Sequence, residues 1–209
     1  QTICLGSSTT LNATGTGTFY QWSTGATTQS ITVSPATTTT YSVTASDANG
    51  CTAVDQVTVT VGSAVANAGP DQTICLGAST TLSATGGTSY QWSTGATTQS
   101  ITVNPSSTTT YTVTVSDVNG CTDVDQVTVT VGSASVEAGP NQTICLGSST
   151  TLNATGTGTF YQWSTGATTQ SITVSPAATT TYSVTASDAN GCTACLLYTS
   201  PSPRDRLLS

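Results

Sequence analysis

The chain has 209 residues, a formal net charge of −7 and 5% charged residues, against roughly 25% in an average globular protein. It holds no His, Met or Lys, its only cations are Arg204 and Arg206, and threonine makes up about a quarter of it. So few cations cannot neutralise phosphates, which excludes nucleic acid and anionic membrane surfaces as partners. No apolar run approaches the ~20 residues of a membrane-spanning helix, so membrane insertion is excluded as well.

Residues 20–51 return almost unaltered at 90–121 and again at 161–192. A period of roughly 70 residues divides the chain into small modules rather than one large core. The copies begin at Gln1, Gln72 and Gln142, and residues 1–53 differ from 142–194 only at Thr37 against Ala178. Such near-identity points to recent duplication, so agreement between those copies is no evidence of function. We take repeat 1 as residues 1–62, repeat 2 as 63–132 and repeat 3 as 133–194.

In the first copy, residues 2–5 (TICL) read as a short strand ended by Gly6. Residues 9–13 alternate, with Leu11 and Ala13 on one face. Residues 19–22 set Tyr20 and Trp22 opposite Gln21, the period of two that marks a half-buried strand. Residues 30–33 carry Ile31 and Val33 inward until Pro35 stops them. Residues 39–46 group Tyr41, Val43 and Ala45, and Asn49-Gly50 reads as a tight hairpin turn with both central residues at positive φ. Residues 55–61 return with Val57, Val59 and Val61 inward. About seven short strands separated by turn signals, with no sustained helical period, predict an all-β module of β-sandwich type.

Residues 62–71 and 132–141 join the copies. Their small residues, with Pro70 and Pro140, predict joints stiffer than a Gly/Ser tether. The last fifteen residues, CLLYTSPSPRDRLLS, match nothing in the repeat and resemble a translated sequencing adapter, so residues 195–209 are set aside as an artefactual tail. The third copy is thereby truncated before its last strand, leaving two sheet edges in want of a partner. Residues 196–199 are the nearest segment to fill the vacancy. The chain lacks an initiating Met and begins inside a strand, and we read the missing signal peptide as the mark of a fragment.

Each copy holds two cysteines: Cys4 and Cys51, Cys75 and Cys121, Cys145 and Cys192. A module this small rarely gains more than ~3–5 kcal/mol from its core. One disulfide within each module, tying its first strand to the turn before its last, would add on the order of 4 kcal/mol in the chain-entropy model. Reduced, buried thiols are the alternative. Zinc is disfavoured, because there is no His and no C-x-x-C pair. Paired cysteines imply an oxidising, extracellular compartment.

Catalysis finds little to work with. Asp123 and Asp125 share a strand face as an acid/base pair would, but Ala53 replaces the first of them in copy 1, and no nucleophile–base pair exists. The solvated-face reading is preferred and the chain is read as no enzyme, with no cofactor. Calcium has candidate oxygens at Asp71, Glu137 and the D-x-N-G turns of Asp47, Asp117 and Asp188, although such an Asp commonly bonds its own backbone. The threonine rows Thr58/Thr60 and Thr112/Thr114 could bind sugar or ice, or simply suit exposed strand faces. Trp22, Trp92 and Trp163 could stack on sugar rings, or belong to the core. Asn12 and Asn153 stand in glycosylation acceptor patterns.

The run Trp22-x-x-Gly25-x-Thr27, followed by Tyr41-x-Val43-Thr44-x-x-Asp47-x-Asn49-Gly50-Cys51, resembles the PKD-like and Ig-like repeats of large secreted bacterial surface proteins, especially those of gliding bacteria that use type IX secretion. The W-x-F-G-D-G of PKD modules is here Trp22-Ser23-Thr24-Gly25-Ala26-Thr27, without its aspartate. The resemblance implies tandem seven-stranded sandwiches at the cell surface, acting as an adhesin stalk or spacer. It implies neighbouring repeats of the same chain as partners, and a glycan or protein as the surface ligand. The alternative is a carbohydrate- or ice-binding accessory module of a secreted hydrolase.

Overall fold

A computed structural model describes residues 1–200. Among them every regular element is a strand, and no helix is long and apolar enough to cross a membrane. Copy 1 contributes β1 (Thr2–Cys4), β2 (Thr9–Asn12), β3 (Phe19–Trp22), β4 (Ser30–Val33), β5 (Thr39–Ser46) and β6 (Thr52–Gly62). Two sheets face each other, one in the order β1-β6-β5-β3 and one of β2 with β4. Copy 2 repeats this with β7 (Gln72–Cys75), β8 (Thr80–Ser83), β9 (Ser89–Trp92), β10 (Ser100–Val103), β11 (Thr109–Ser116) and β12 (Thr122–Gly132).

Period-two alternation builds these strands. Along β4 exposure runs out, in, out, in, so Ile31 and Val33 meet Leu11, Ala13, Trp22 and Val59 between the sheets. The Trp22 indole N–H, which cannot stay unpaired in an apolar interior, donates to the Thr28 carbonyl at 2.9 Å. Trp92 and Trp163 do the same toward Thr98 and Thr169. All three indoles are buried, the core reading rather than a sugar-stacking one.

Two features differ from the sequence reading. The turn of residues 47–50 is closed by Gly50 N–H to the Asp47 carbonyl (3.1 Å) and Asp47 N–H to the Cys51 carbonyl (3.0 Å). Within the turn only Gly50 has positive φ (86°), and among the described residues no non-glycine residue does. It is therefore a longer turn ending in one left-handed glycine, not the two-residue kind with both residues left-handed. Second, each copy supplies six of its own strands at most, and the seventh element comes from the connection. Asn67 forms a bridge to Thr85, and Glu137 to Thr155.

Copy 3 has β13 (Thr150–Asn153), β14 (Phe160–Trp163), β15 (Ser171–Val174), β16 (Thr180–Ser187) and β17 (Thr193–Ser200). The partner of β16 is drawn from the residues after the repeat, since β17 pairs antiparallel with it from Ser187↔Thr193 to Thr180↔Ser200. Leu196 packs against the copy 3 core. No strand is assigned to residues 142–145.

The chain divides into two compact units that do not coincide with the repeats. One is Gln1–Gly69 with Leu82–Ile101 and Tyr111–Val127; the other is Pro70–Thr81, Thr102–Thr110 and the residues from Thr128 on. Copy 2 is thus shared, its turn-bearing end going with copy 1 and its first strand with copy 3.

Candidate functional site

The cysteines pair between copies, not within them. Cys4 bonds Cys121 and Cys75 bonds Cys192, each across 117 residues with Cα atoms 5.4 and 5.3 Å apart. Cys51 and Cys145 are free and exposed, as is Cys195 in the tail. The expected bond within each module is therefore corrected, and the reason is strand direction. β1 runs parallel to β6 in the register Thr2↔Thr60, Ile3↔Val61, Cys4↔Gly62, which puts Cys4 at the far end of β6. Cys51 precedes the near end of the same strand. Eleven residues at ~3.3 Å each separate them by about 35 Å, far beyond the ~7 Å a disulfide allows. An antiparallel β1 would have brought them together.

Each bond sits in a built joint. In the first, Gly62 at the end of β6 lies against the turn of residues 117–121. A Cβ on Gly62 would fall 2.5 Å from Asp117 Oδ2, 2.9 Å from the Asn119 Cβ and 2.9 Å from the Cys121 Sγ. Gly132 meets Asp188, Asn190 and Cys192 in the same way at 2.6, 3.0 and 2.8 Å. Only a residue without a side chain lets the strand end approach the turn this closely.

The turn is prepared by its own aspartate. Asp117 Oδ1 accepts the N–H groups of Asn119 and Cys121, both at 2.8 Å. Desolvation pushes the Asp117 carboxyl upward, but it is outweighed by the bonds from Cys121, from the Asn119 side chain and backbone, and from Ser63 N–H, which hold it below the usual aspartate range. Ser63 belongs to the connection, so one carboxylate orders both its turn and the segment arriving from the previous copy.

That segment is then fastened along its length. Ala66 N–H donates to Asp123 Oδ2 at 2.9 Å and Ala68 N–H to Asp125 Oδ2 at 2.8 Å. The bond from Ala68, with one from Gln126, keeps the Asp125 carboxyl below its ordinary range against a smaller desolvation. The solvated-face reading of Asp123 and Asp125 is thereby corrected: both are half-buried and hold the connection. Val65 N–H reaches the Gly86 carbonyl, and a Cβ on Gly86 would collide with the Val65 carbonyl oxygen at 1.7 Å. Ala68, 1% exposed, closes the core of copy 2, as Val136 and Ala138 close that of copy 3.

The remaining candidates fall outside this arrangement. Among the described residues no three acidic, Cys or His side chains converge as a metal site. Asp71 accepts Thr128 N–H at 2.7 Å, and Asp47 and Asp188 accept the N–H groups of their own turns. Thr58 hydroxyl bonds Thr40 at 2.9 Å, a cross-strand pair of the kind that stabilises an exposed sheet face. Asn12 accepts the Ser30 hydroxyl and Asn153 that of Ser171. Sequence reasoning missed Gly62, Ser63, Ala66 and Ala68. The spacing of the two alanines, both set to one face in a connection, was the signal available.

No family model matches this chain, and no curated protein matches it. Solved structures do. A three-immunoglobulin-domain piece of titin, domains I67–I69 in an E-to-A mutated variant, is similar with 14% identity and a TM-score of 0.51, covering 96% of this chain and 94% of that one. The three N-terminal domains of the bacteriophage RB49 Highly Immunogenic Outer Capsid protein align with 18% identity and a TM-score of 0.48, covering 94% of each. The likeness to the titin domains gives the chain the fold of tandem Ig-like sandwiches.

Proposed function

We propose that this chain is a non-enzymatic segment of an extracellular stalk or spacer, one that carries tension between the other parts of a large secreted or cell-surface protein. The observation that carries it is the pair of disulfides linking the first strands of copies 1 and 2 to the turn of the following copy. Disulfides that span copies suit an oxidising compartment and serve a tandem array more than any single module. The motif resemblance to PKD-like repeats of bacterial surface proteins supports the same reading, with the neighbouring copies as principal partners and any glycan or protein ligand as an addition.

The two bonded loops overlap along the sequence, residues 4–121 with residues 75–192, and this sets a limit on extension. Pulled from its ends, the oxidised chain has a shortest covalent path from Cys4 to Cys121, back through 46 residues to Cys75 (121 − 75), then across to Cys192. At ~3.5 Å per residue this is about 160 Å, against about 660 Å for the 188 residues (192 − 4) of the reduced chain. Single-molecule pulling with and without reductant measures it. Equal extension in both conditions would end the tension-bearing reading. Coding sequence on either side bears on the rival reading, since a catalytic domain beside a short array favours an accessory module and many further copies favour the stalk.

A further inference from the structure

The turns that close the two joints carry an Asn-Gly pair, Asn119-Gly120 and Asn190-Gly191, and all four residues are exposed to water. A glycine after asparagine has no Cβ to shield its main-chain nitrogen, so the asparagine side chain can close onto that nitrogen. In the first turn the Gly120 N–H is held by the Asp117 carbonyl at 3.2 Å. It is thus more loosely tied than the N–H groups of Asn119 and Cys121, both held at 2.8 Å. By contrast Asn12, Asn67 and Asn153 are each followed by alanine. Asn119 also touches the working parts of the joint. Its Nδ2 donates to Asp117 Oδ2 at 3.3 Å, and the Asp117 carboxylate receives Ser63 N–H from the connection. The Asn119 Cβ lies 2.9 Å from where a Cβ on Gly62 would stand, and the Asn190 Cβ lies 3.0 Å from that of Gly132.

We propose that Asn119 and Asn190 are sites of spontaneous deamidation, and that the product loosens the joint beside it. The Gly120 nitrogen gives its proton to water and bonds Asn119 Cγ. The Cγ–Nδ2 bond breaks and the side-chain nitrogen leaves as ammonia, so a cyclic imide remains. Water then opens the imide at either carbonyl. One opening leaves aspartate at residue 119. The other leaves isoaspartate, in which Cβ and Cγ have joined the main chain and lengthen the turn by one atom. Overall one water enters and one ammonia leaves, with no change of oxidation state. Aspartate puts a second negative charge where an amide donated to Asp117, and like charges this close repel. Isoaspartate displaces the Cβ that packs at Gly62, where there is no room to spare. In copy 3 the same step joins Gly191 to Asn190 and acts on the contact with Gly132. The inference rests on the geometry of the joints, and not on the location of the chain or its role under tension.

The test holds the oxidised full chain in warm, mildly alkaline buffer for some weeks. Pepsin then digests it in acid, where further cyclisation is slow, and chromatography with mass spectrometry separates aspartate from isoaspartate peptides. Val118 marks the Asn119 peptide, and a fragment running into Cys195 marks that of Asn190. Asn119 and Asn190 should convert several-fold faster than Asn12, Asn67 and Asn153; rates no higher than theirs overturn the inference. Asn119→Asp, made directly, tests the consequence. At neutral pH and low salt it should lower the hydrogen-exchange protection of the Ser63 amide several-fold relative to the parent. Salt at ~1 M should restore most of that protection, since the screening length falls to about 3 Å. Protection equal to the parent's, or a loss that salt leaves unchanged, overturns the inference as well. Neither result touches the stalk reading, which the pulling experiment tests separately.

Discussion

The turn of residues 47–51, Asp-Ala-Asn-Gly-Cys, and the turn of residues 117–121, Asp-Val-Asn-Gly-Cys, have the same internal hydrogen bonds and opposite surroundings. Cys51 is exposed and free; Cys121 is 3% exposed and bonded. The difference reaches into the sandwiches behind them. Tyr41, Val43, Ala45 and Val57 are only half-buried in copy 1, whereas Tyr111, Val113, Val115 and Val127 are buried in copy 2. The aromatic and aliphatic complement is nearly the same in both. In copy 2 the segment of residues 65–68 lies over these side chains, held by Gly86, Asp123 and Asp125. A repeat of this kind completes its interior with residues that precede it, so its unit of stability is the joint as much as the module.

The largest effect that would break this comparison comes from the sulfur atoms. Cys121→Ser should destabilise the unit that contains copy 1 by about 2–5 kcal/mol, since closing a 117-residue loop contributes about 5 kcal/mol in the chain-entropy model and measured disulfides usually give less. Cys51→Ser should stay within about 0.5 kcal/mol of the parent, as an exposed site with no partner does. Urea unfolding of the oxidised protein, followed by tryptophan fluorescence, compares the two. Equal losses would mean that the two turns are equivalent in solution.

Acid should act next, and on one turn more widely than the other. Asp117 and Asp125 are both held below their ordinary range by N–H groups that include Ser63 and Ala68. A carboxyl depressed on folding stabilises above its unfolded value of about 3.9, and this contribution is lost as pH falls through the folded value. Below about pH 3.9, therefore, hydrogen-exchange protection of the Ser63 and Ala68 amides should fall, after correction for intrinsic rate. Asp47 is depressed as well, first by Cys51 N–H and then by Asn49 and Gly50 against desolvation, but all those donors lie in its own turn. Its protonation should release the Asn49 and Cys51 amides and nothing in another copy. Unchanged protection at Ser63 down to pH 2 would remove Asp117 from the joint.

The strands were legible because their signal is local: β4 and its neighbours follow from alternation alone, and the buried tryptophans from their place beside tyrosine at period two. The β17 substitution was legible too, since a missing strand leaves an edge that the next apolar segment fills. The joint was not legible, for a definite reason. Cys4 ends a strand of three residues and Cys51 immediately precedes one of eleven, and whether they meet depends on the direction in which β1 pairs, a non-local choice that leaves no mark on either segment. Asp123 and Asp125 looked like solvated acids because their partners are backbone N–H groups 57 residues away, which carry no side-chain signature.

The smallest effect sharpens the comparison most, because it asks whether a joint residue matters without its joint. Copy 1 carries Ala53 where copy 2 has Asp123, the acceptor for Ala66 N–H. Ala53→Asp should change the stability of this chain by less than about 0.5 kcal/mol, because Ala53 is exposed and no arriving amide faces it. Asp123→Ala, its mirror image, should cost Ala66 its exchange protection at once. Silence at residue 53 together with loss of Ala66 protection at residue 123 would show that the acid acts on the connection. A gain in stability from Ala53→Asp would show instead that the acid acts within its own sheet, and Asp123 would then matter for a reason other than its bond to Ala66.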